Sequence, residues 1–339
     1  MLYIHQYPDW THFRLDYKRV IDALGKTCLA EGELICTMNI CGLKDEELTL
    51  VVNDIVANAA IDGIELNPDI VREEVKLRTQ GNRNHIKNFL GAFGNAQDPL
   101  TIEKLINLHK DIDPFKATSF RTDDSEITYE SGNTKLTFKG PDPERLHTEI
   151  ANFLTWFEIA PMDGVIKAAL AHFWFITLRP FKNGNGRMAR LLATLQLART
   201  EHSHNYEYAL IRQIFENREE YFKILNKAQS GNGDLTEWVL WFLSQMQAAI
   251  QKSKEMFDPS IRAVKFTTRH DGITFTDREQ KILMAHLHGQ IPDEFKSSHI
   301  AGVLGVSHDT ALREIQSLIN KKILKTTTKR GRSQSYSLV

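Results

Sequence analysis

Apolar residues recur every three or four positions through most of this chain, which is the spacing of one face of an α-helix. The pattern predicts a helix from about residue 15, a second over 48–61, and a third after Asn67-Pro68, because proline is favoured in the first turn of a helix. Further helices are predicted near residues 100–112, 146–158, 163–178, 186–200, 213–229 and 234–256. The buried face of the first helix is assigned to Leu15, Val20, Leu24, Cys28 and Leu29.

One segment has the two-residue period of β-strands instead. Residues 127–129 and 135–139 flank the turn sequence Ser131-Gly-Asn, and Pro141-Asp-Pro143 ends the second strand. Two strands alone are marginally stable, so the hairpin is expected to lie as a flap over a cleft rather than in the core. The chain is therefore predicted to be mainly α, with one hairpin in its central part.

The pattern changes after about Lys254. Residues 257–272 show no apolar periodicity and are predicted to be a linker. Residues 273–339 then contain three short helices, the third capped by Ser307, and two strands joined by a basic turn. A helix-turn-helix followed by such a hairpin is the layout of a winged helix.

This C-terminal segment is the basic part of the chain. It holds ten Lys and Arg against six Asp and Glu, a net charge of +4, whereas the remainder has a net charge of −5. Cations on the third helix and the hairpin suit phosphate contacts with DNA, although a winged helix can also bind proteins, and this choice stays open. The candidate nucleic-acid contacts are Arg313, Lys325, Lys329, Arg330 and Arg332.

Composition limits the class of protein. With 42% apolar residues and a net charge of −1 over 339 residues, the chain suits a soluble globular protein rather than a disordered one. The longest apolar stretch, Ala168–Leu178, is too short to cross a bilayer, and the first residues lack the pattern of a signal peptide. Three cysteines without a C-x-x-C pair indicate reduced thiols. These observations predict a cytoplasmic protein with no membrane partner.

The segment from Arg179 to Arg190, R-P-F-K-N-G-N-G-R-M-A-R, has the most specific chemistry. A glycine-rich loop leads directly into a helix, so backbone N–H groups and the positive end of the helix dipole point toward the same space. Arg187 and Arg190, three positions apart, add two cationic side chains to one face of that helix. The arrangement favours a polyphosphate ligand; the alternative is an ordinary interhelical loop with solvated arginines.

This segment resembles the signature of the Fic family, H-P-F-x-(D/E)-G-N-G-R-x-x-R, and departs from it at Arg179 and Asn183. Similarity extends over essentially the whole chain, through Trp10-x-x-Phe13, the helix ending at 57–63, the hairpin, Arg218-Glu-Glu-Tyr221-Phe222 and the C-terminal module. The resemblance implies an N-terminal helical region with an inhibitory-type helix (1–95), a Fic helical core with a β-hairpin flap (96–256), the linker (257–272) and a winged-helix domain (273–339).

Fic proteins transfer AMP from ATP to a hydroxyl group of a protein, with a divalent cation. The resemblance therefore implies ATP as substrate, Mg²⁺ held by Asn183, and a Ser, Thr or Tyr hydroxyl of a target protein as acceptor. DNA and a second copy of the chain are further candidate partners. The resemblance places phosphate contacts on Asn183, Gly184, Asn185, Gly186, Arg187 and Arg190, and adenosine contacts on Tyr221 and Gln229.

Two departures concern the mechanism. The position of the family's general base holds Arg179, whose guanidinium has a pKa above about 12 and cannot accept a proton near neutrality. The metal position holds Asn183, a neutral ligand that is expected to weaken Mg²⁺ binding. General-base catalysis contributes about 10² to 10⁴ in rate, so AMP transfer is predicted to be weak or absent while ATP binding is retained.

A third departure lies in the helix that ends at residue 63. Many Fic proteins carry an inhibitory motif (S/T)-x-x-x-E-(G/N) there, whose Glu pairs with the second signature arginine; Asn58 and Asp62 occupy those positions here. A weaker pairing of Asp62 with Arg190 is expected, and the alternative is that Asp62 simply ends a helix. Two other functions stay open: a non-catalytic nucleotide-sensing regulator, and a de-AMPylase in which Asp62 would position water.

Overall fold

The structure, a computed structural model, describes residues 2–41, 44–79, 96–112, 119–131, 134–201, 206–327 and 334–339. The chain divides into two compact units, one of Met1–Cys36 with Lys44–Ser253 and the other of Thr37–Leu43 with Lys254–Val339. Within the described ranges, no helix combines the length and the apolar character needed to cross a membrane. The mainly helical fold predicted from the sequence is confirmed.

The helices before the C-terminal segment follow the predicted pattern, except that the single helix predicted over 213–229 is two helices separated at Asn217. Two short 3₁₀ turns, Ile4–Gln6 and Pro143–Arg145, accompany them. In chain order the helices are α1 (Tyr17–Cys41), α2 (Lys44–Ile61), α3 (Pro68–Thr79), α4 (Ile102–Ile112), α5 (Leu146–Ile159), α6 (Gly164–Leu178), α7 (Asn185–Glu201), α8 (Leu210–Glu216), α9 (Arg218–Gln229) and α10 (Thr236–Arg269).

Helix α6 is the centre of the larger unit because it is apolar on all sides, and every residue after Gly164 is buried. The Asp163 carboxylate caps it by accepting hydrogen bonds from the backbone N–H groups of Val165 (2.9 Å) and Ile166 (3.1 Å). Helix α7 packs along α6, and a Cβ on Gly164 would lie only 1.9 Å from Thr200 Oγ1. Glycine at this position therefore permits the close approach of the two helices that flank the signature segment.

The predicted hairpin is confirmed. Strands β1 (Glu126–Ser131) and β2 (Thr134–Lys139) pair antiparallel, and the turn between them lies outside the described residues. Tyr129 stacks on Phe222 of α9 with ring centroids 4.6 Å apart, and Phe138 is completely buried. Aromatic contacts thus fix the hairpin to the helical core.

The C-terminal unit has its own apolar core, formed by residues that include Ile282, Phe295, Ile315, Leu318 and Tyr336. Its helices are α11 (Asp277–Leu287), α12 (Ser297–Leu304) and α13 (His308–Asn320). Strands β3 (Phe295–Lys296), β4 (Leu324–Thr326) and β5 (Ser335–Leu338) form a sheet of order β3-β5-β4.

The Ser307 side chain accepts a hydrogen bond from the N–H of Thr310, so the predicted cap of α13 is confirmed. The three helices and the two strands after them occur in the predicted order, and β3, which was not predicted, lies between α11 and α12. The assignment of these elements to the winged-helix fold stays a prediction. The basic turn falls in residues 328–333, outside the described part of the chain.

The predicted linker over 257–272 is wrong for most of its length, because α10 continues to Arg269. An ion pair between Asp258 and Arg262 (3.0 Å), one turn apart, spans the turn that contains Pro259. Several of the inward positions hold small or polar residues, which a search for apolar periodicity does not register. Positions at least half-buried recur with helical spacing at Ser253, Phe257, Ser260 and Ala263.

The buried face of α1 also differs from the prediction. Leu29 is 67% exposed and Cys28 is exposed, whereas the polar side chains of Thr27 and Glu31 are buried. Glu31 accepts a hydrogen bond from the Tyr208 hydroxyl (3.0 Å), and the Thr27 hydroxyl donates to a carbonyl one turn earlier. Satisfied hydrogen bonds allow these polar groups to take core positions.

Candidate anion-binding site

The segment between α6 and α7 folds into a tight loop that leads into a helix N-terminus. Asn185 closes the loop with its side chain, because Oδ1 accepts from the Phe181 N–H (2.9 Å) and Nδ2 donates to the Phe181 carbonyl (2.7 Å). Gly184 has a φ of 73°, and a Cβ on Gly186 would lie 3.1 Å from Arg190 Nη1. The predicted cradle residues therefore offer a ligand backbone N–H groups rather than side chains.

His109 of α4 supports this loop and is not singled out by any sequence pattern. It is completely buried, its ring stacks on Phe181 with centroids 3.7 Å apart, and its Nε2 lies 2.9 Å from the carbonyl oxygen of Asn183. Since a carbonyl can only accept, Nε2 carries the proton of this hydrogen bond. His109 therefore fixes the direction of the Asn183 carbonyl.

Two arginines of α7 converge on the end of α2. Arg187 Nε lies 3.0 Å from one carboxylate oxygen of Asp62, and Arg190 Nη2 lies 3.1 Å from the other. Arg190 also donates from Nε to Asn58 Oδ1 (2.6 Å) and from Nη2 to the Asn58 carbonyl (3.0 Å). The pairing expected between Asp62 and Arg190 is thus present. The Arg190 side chain is 1% exposed and that of Asp62 is 27% exposed, so the carboxylate lies on the open side of the cluster.

Asp54 anchors helix α2 at a second point. Its carboxylate is completely buried and accepts hydrogen bonds from the Tyr206 hydroxyl and from the backbone N–H groups of Ile211 (3.0 Å) and Arg212 (2.6 Å) in α8. Burial raises the pKa of Asp54 to about 7, although these hydrogen bonds oppose the shift.

Arg179 ends α6 in the left-handed backbone conformation, with φ 48° and ψ 56°, and is 7% exposed. Its Nε donates to the Ser125 hydroxyl beside β1 (2.8 Å), and within the described residues its guanidinium forms no ion pair. Burial lowers the pKa of Arg179 from its ordinary value, although the nearby Tyr129 hydroxyl and Asp62 carboxylate oppose the shift. A guanidinium titrates so far above neutrality that Arg179 stays charged.

Arg121 holds Arg179 in place through the backbone. Its Nε donates to the Arg179 carbonyl (2.7 Å), and its two Nη groups donate to the carbonyls of Asp123 (2.7 Å) and Pro141. One guanidinium thus ties the first residue of the signature segment to the chain on both sides of the hairpin. No motif in the sequence connects Arg121 or Ser125 with the signature.

The structure places both expected adenosine contacts, Tyr221 and Gln229, in the core, and their contact with adenosine stays a prediction. The Tyr221 hydroxyl lies 3.1 Å from His172 Nε2 and its ring stacks on Trp241, while Gln229 Nε2 donates to Thr177 Oγ1 (3.3 Å). Both side chains are completely buried, so a ligand has no access to them in this conformation. Burial also lowers the pKa of His172 to about 3, which keeps its ring neutral.

The side chains around the loop do not fit a divalent cation. Asn183, at the metal position, is exposed and offers a neutral amide, and its backbone carbonyl is hydrogen bonded to His109. In the parts of the chain that the structure describes, no group of three or more His, Cys, Asp and Glu side chains could hold a metal ion. Hard cations such as Mg²⁺ prefer carboxylate oxygens, which position 183 does not supply.

The C-terminal unit presents a separate candidate surface. Helix α13 and the β4–β5 pair border a groove of about 560 Å³, lined in part by Arg313 and Gln316. Arg313 and Lys325 are exposed. The other predicted nucleic-acid contacts, Lys329, Arg330 and Arg332, lie outside the described residues.

Two family models and several curated proteins are similar to parts of this chain. A model of the Fic/DOC family matches residues 99–197, and a model of a domain of unknown function, DUF4172, matches residues 3–79. Protein adenylyltransferase fic-1 of Caenorhabditis briggsae is 27% identical over 160 residues, which are 45% of this chain and 28% of that protein. Protein adenylyltransferase Fic of Culex quinquefasciatus is 26% identical over 239 residues, 65% of this chain and 43% of that protein. The chain thus spans less than half the length of these curated relatives.

Solved structures share the fold. A crystal structure of a Fic family protein from Desulfovibrio desulfuricans G20 has a TM-score of 0.57 at 20% identity and covers 95% of this chain and 96% of that chain. Fic-1 (residues 134–508) from C. elegans has a TM-score of 0.50 at 19% identity and covers 71% and 73%. Residues 99–197 thus match the Fic/DOC family model, and these solved structures share the fold of the chain.

Proposed function

We propose that this chain binds ATP at residues 183–190 and belongs to the protein-AMPylating class of Fic proteins, with AMP transfer weakened or lost. One observation carries the proposal. The N-terminus of α7 follows a glycine-containing loop, and the guanidinium groups of Arg187 and Arg190 from its first turns both contact Asp62. Backbone N–H groups and arginine forks in one place are strong ligands of phosphate. The relatives named protein adenylyltransferase support the reaction class.

AMP transfer joins the hydroxyl oxygen of a Ser, Thr or Tyr side chain to the α-phosphorus of ATP and breaks the bond to the β-phosphate oxygen, so that pyrophosphate leaves. The hydroxyl proton needs an acceptor. Arg179 stands where the family's histidine accepts that proton, and a protonated guanidinium has no free lone pair for it. Loss of a general base lowers the rate by about 10² to 10⁴, whereas binding needs no proton transfer.

In this proposal Asp62 and Asn58 are inhibitory residues. Their contacts engage N–H groups of Arg187 and Arg190 that a γ-phosphate would otherwise use. ATP therefore competes with the Asp62 carboxylate for the same donors. A carboxylate that is 27% exposed can leave the arginines more easily than a completely buried one, so this inhibition is expected to be reversible.

The test combines binding with rescue of transfer. Calorimetry on the unchanged chain is expected to show binding of ATP or ADP, and no heat at millimolar nucleotide, with or without Mg²⁺, would overturn the proposal. With ATP labelled on the α-phosphate and a lysate of the source organism, Arg179→His is expected to label protein at least about 100-fold faster than the unchanged chain.

Asn183→Asp is expected to raise labelling further in the presence of Arg179→His and to do little alone, because the base would still be missing. An Arg179→His, Asn183→Asp double variant that binds ATP yet labels no protein would contradict the AMPylation class. The nucleotide-sensing regulator would then be the better account of this chain.

That second function has one observation in its favour, two exposed cations of the C-terminal unit: Arg313, which lines the groove beside α13, and Lys325 of β4. Titration of fluorescent duplex DNA at several salt concentrations tests it. If these cations contact phosphates, the logarithm of the binding constant falls linearly with the logarithm of salt concentration, and Lys325→Ala reduces the slope by about 1. Absent or salt-independent binding would exclude DNA and leave a protein partner.

A further inference from the structure

Arg179 is a buried cation with a neutral hydrogen-bond partner. Its Nε is bonded to the Ser125 hydroxyl, and within the described part of the chain no carboxylate forms an ion pair with it. Burying an unpaired charge is costly, so buried guanidinium groups are normally paired with an anion. The charge of Arg179 is therefore suited to pairing with an anion that a bound ligand would provide.

The surroundings show where that anion would lie. Asp62, which pairs with Arg187 and Arg190, is also within electrostatic reach of the Arg179 guanidinium. Burial raises the pKa of the Tyr129 hydroxyl, and Arg179, Asp62 and Arg190 all lie within electrostatic reach of that hydroxyl. Tyr129 belongs to the hairpin and Arg190 to α7, so Arg179 and the Asp62–Arg190 pair are neighbours of one buried side chain.

The backbone at position 179 is itself constrained. A left-handed conformation is unfavourable for a residue with a Cβ, and such strained residues cluster at functional sites. The hydrogen bond from Arg121 to the Arg179 carbonyl maintains this conformation. The guanidinium is therefore held in a fixed place rather than extended into solvent.

We infer that Arg179 is a phosphate ligand that takes the place of the metal ion, so that the site binds a polyphosphate as the free anion rather than as its magnesium complex. The inference rests on the proposed function and names the form of its ligand. It agrees with the neutral amide of Asn183, which provides no carboxylate for a cation. A fixed guanidinium also forms directed hydrogen bonds to phosphate oxygens, as a metal ion would coordinate them.

Binding without metal follows from this charge arrangement. Mg²⁺ on the phosphates would bring a second cation next to Arg179 and would neutralise the charge that the arginines attract. Affinity for ATP in the presence of EDTA is therefore expected to equal or exceed affinity in excess Mg²⁺. A site that depends on a protein-held metal binds ATP more tightly in excess Mg²⁺ than in EDTA.

The experiment is calorimetric titration of the full chain with ATP, ADP and inorganic triphosphate, each in EDTA and in excess Mg²⁺. Arg179→Gln is expected to weaken all three ligands in EDTA by about 10- to 100-fold, the effect of losing hydrogen bonds to a charged group. Arg179→Lys keeps the charge and is expected to lose less than about tenfold. Lys182→Gln removes a cation from an exposed side chain of the same loop and is expected to stay within about threefold.

Thermal unfolding of each variant shows whether it is folded. ATP binding that requires Mg²⁺ and is unaffected by Arg179→Gln would overturn the inference while leaving the proposed function intact. Equal losses in Arg179→Gln and Lys182→Gln would also overturn it, because they would indicate a general charge effect. Weaker ATP with unchanged triphosphate in Arg179→Gln would refute a phosphate contact. Failure of the unchanged chain to bind any of the three ligands would instead overturn the proposed function.

Discussion

Replacement of Asp62 by alanine is expected to tighten ATP binding and, at the same time, to lower the stability of the protein without ligand. The Asp62 carboxylate bridges Arg187 (3.0 Å) and Arg190 (3.1 Å), the side chains proposed to bind phosphate. Alanine removes the competitor for those guanidinium groups. It also leaves the nearly buried Arg190 with Asn58 but without a carboxylate, which costs folding free energy.

The size of both effects follows from exposure. Exposed ion pairs contribute about 0–1 kcal/mol, and removing one partner of a buried pair costs about 3–5 kcal/mol. The side chains of Arg190, Arg187 and Asp62 are 1%, 10% and 27% exposed, between these limits. With about 0.7–1 kcal/mol for each of the two contacts that phosphate displaces, ATP affinity should rise about 10- to 30-fold. The free energy of unfolding should fall by about 1–3 kcal/mol.

Calorimetry measures the affinity and urea unfolding measures the stability. Asp62→Asn keeps the size and an oxygen acceptor but not the charge, so it is expected to lie between alanine and the unchanged chain. The matched control is Asp22→Ala, which removes a carboxylate from the Lys26–Asp22 ion pair on α1, where both side chains are at least 69% exposed. It should change stability by less than about 0.5 kcal/mol and ATP affinity not at all.

Folded Asp62→Ala protein with unchanged or weaker ATP binding would refute the competition. Asp62 would then be a structural partner of the two arginines, and a loss of stability without a gain in affinity would be its whole effect. An equal gain in ATP affinity in Asp22→Ala would show that the change in net charge, rather than the loss of a competitor, is the cause.

Asp54→Asn should flatten the dependence of stability on pH, because burial raises the pKa of Asp54 from 3.8 to about 7. The contribution of the protonated carboxyl to the free energy of unfolding, up to about 4 kcal/mol, is present below about pH 4 and is lost as the pH rises to about 7. Urea unfolding at pH 5 and pH 7 checks this, and equal slopes in both proteins would contradict it. Gly164→Ala should lower the free energy of unfolding by about 1–3 kcal/mol, because the new Cβ would meet Thr200. Gly25→Ala has no atom within 4 Å of the new Cβ and should raise the free energy of unfolding by up to about 1 kcal/mol, so thermal unfolding should show opposite changes in Tm for the two variants. His109→Phe keeps an aromatic ring beside Phe181 but removes the bond to the Asn183 carbonyl, and calorimetry should show ATP binding about 3- to 10-fold weaker.

The parts of the fold that the sequence predicts well depend on local chemistry. Helix α6 is an almost unbroken apolar run behind an aspartate cap, and α13 begins after the predicted cap Ser307. The hairpin has alternating residues around a turn sequence. In each case neighbours within a few positions determine the structure, so the pattern alone is sufficient.

The rest depends on contacts between distant segments. Glu31 is buried because Tyr208 satisfies its carboxylate, and the hydrophobic pattern gives no sign of that partner. The same holds for the frame of the site, since His109, Arg121 and Ser125 reach the signature loop from other parts of the chain. The signature indicates the residues that we propose to bind phosphate, but not the residues that hold them in position.

The hydrogen bond from Arg121 to the backbone carbonyl oxygen of Arg179 holds this position of the chain in place whatever side chain it carries. Every amino acid has this carbonyl, and histidine adopts the left-handed conformation more readily than most residues, so an imidazole at position 179 would start from the same backbone. A histidine codon becomes an arginine codon by one base change. A lineage can therefore exchange proton transfer for a permanent charge in a single mutation, without rebuilding the scaffold, and can reverse the exchange as easily.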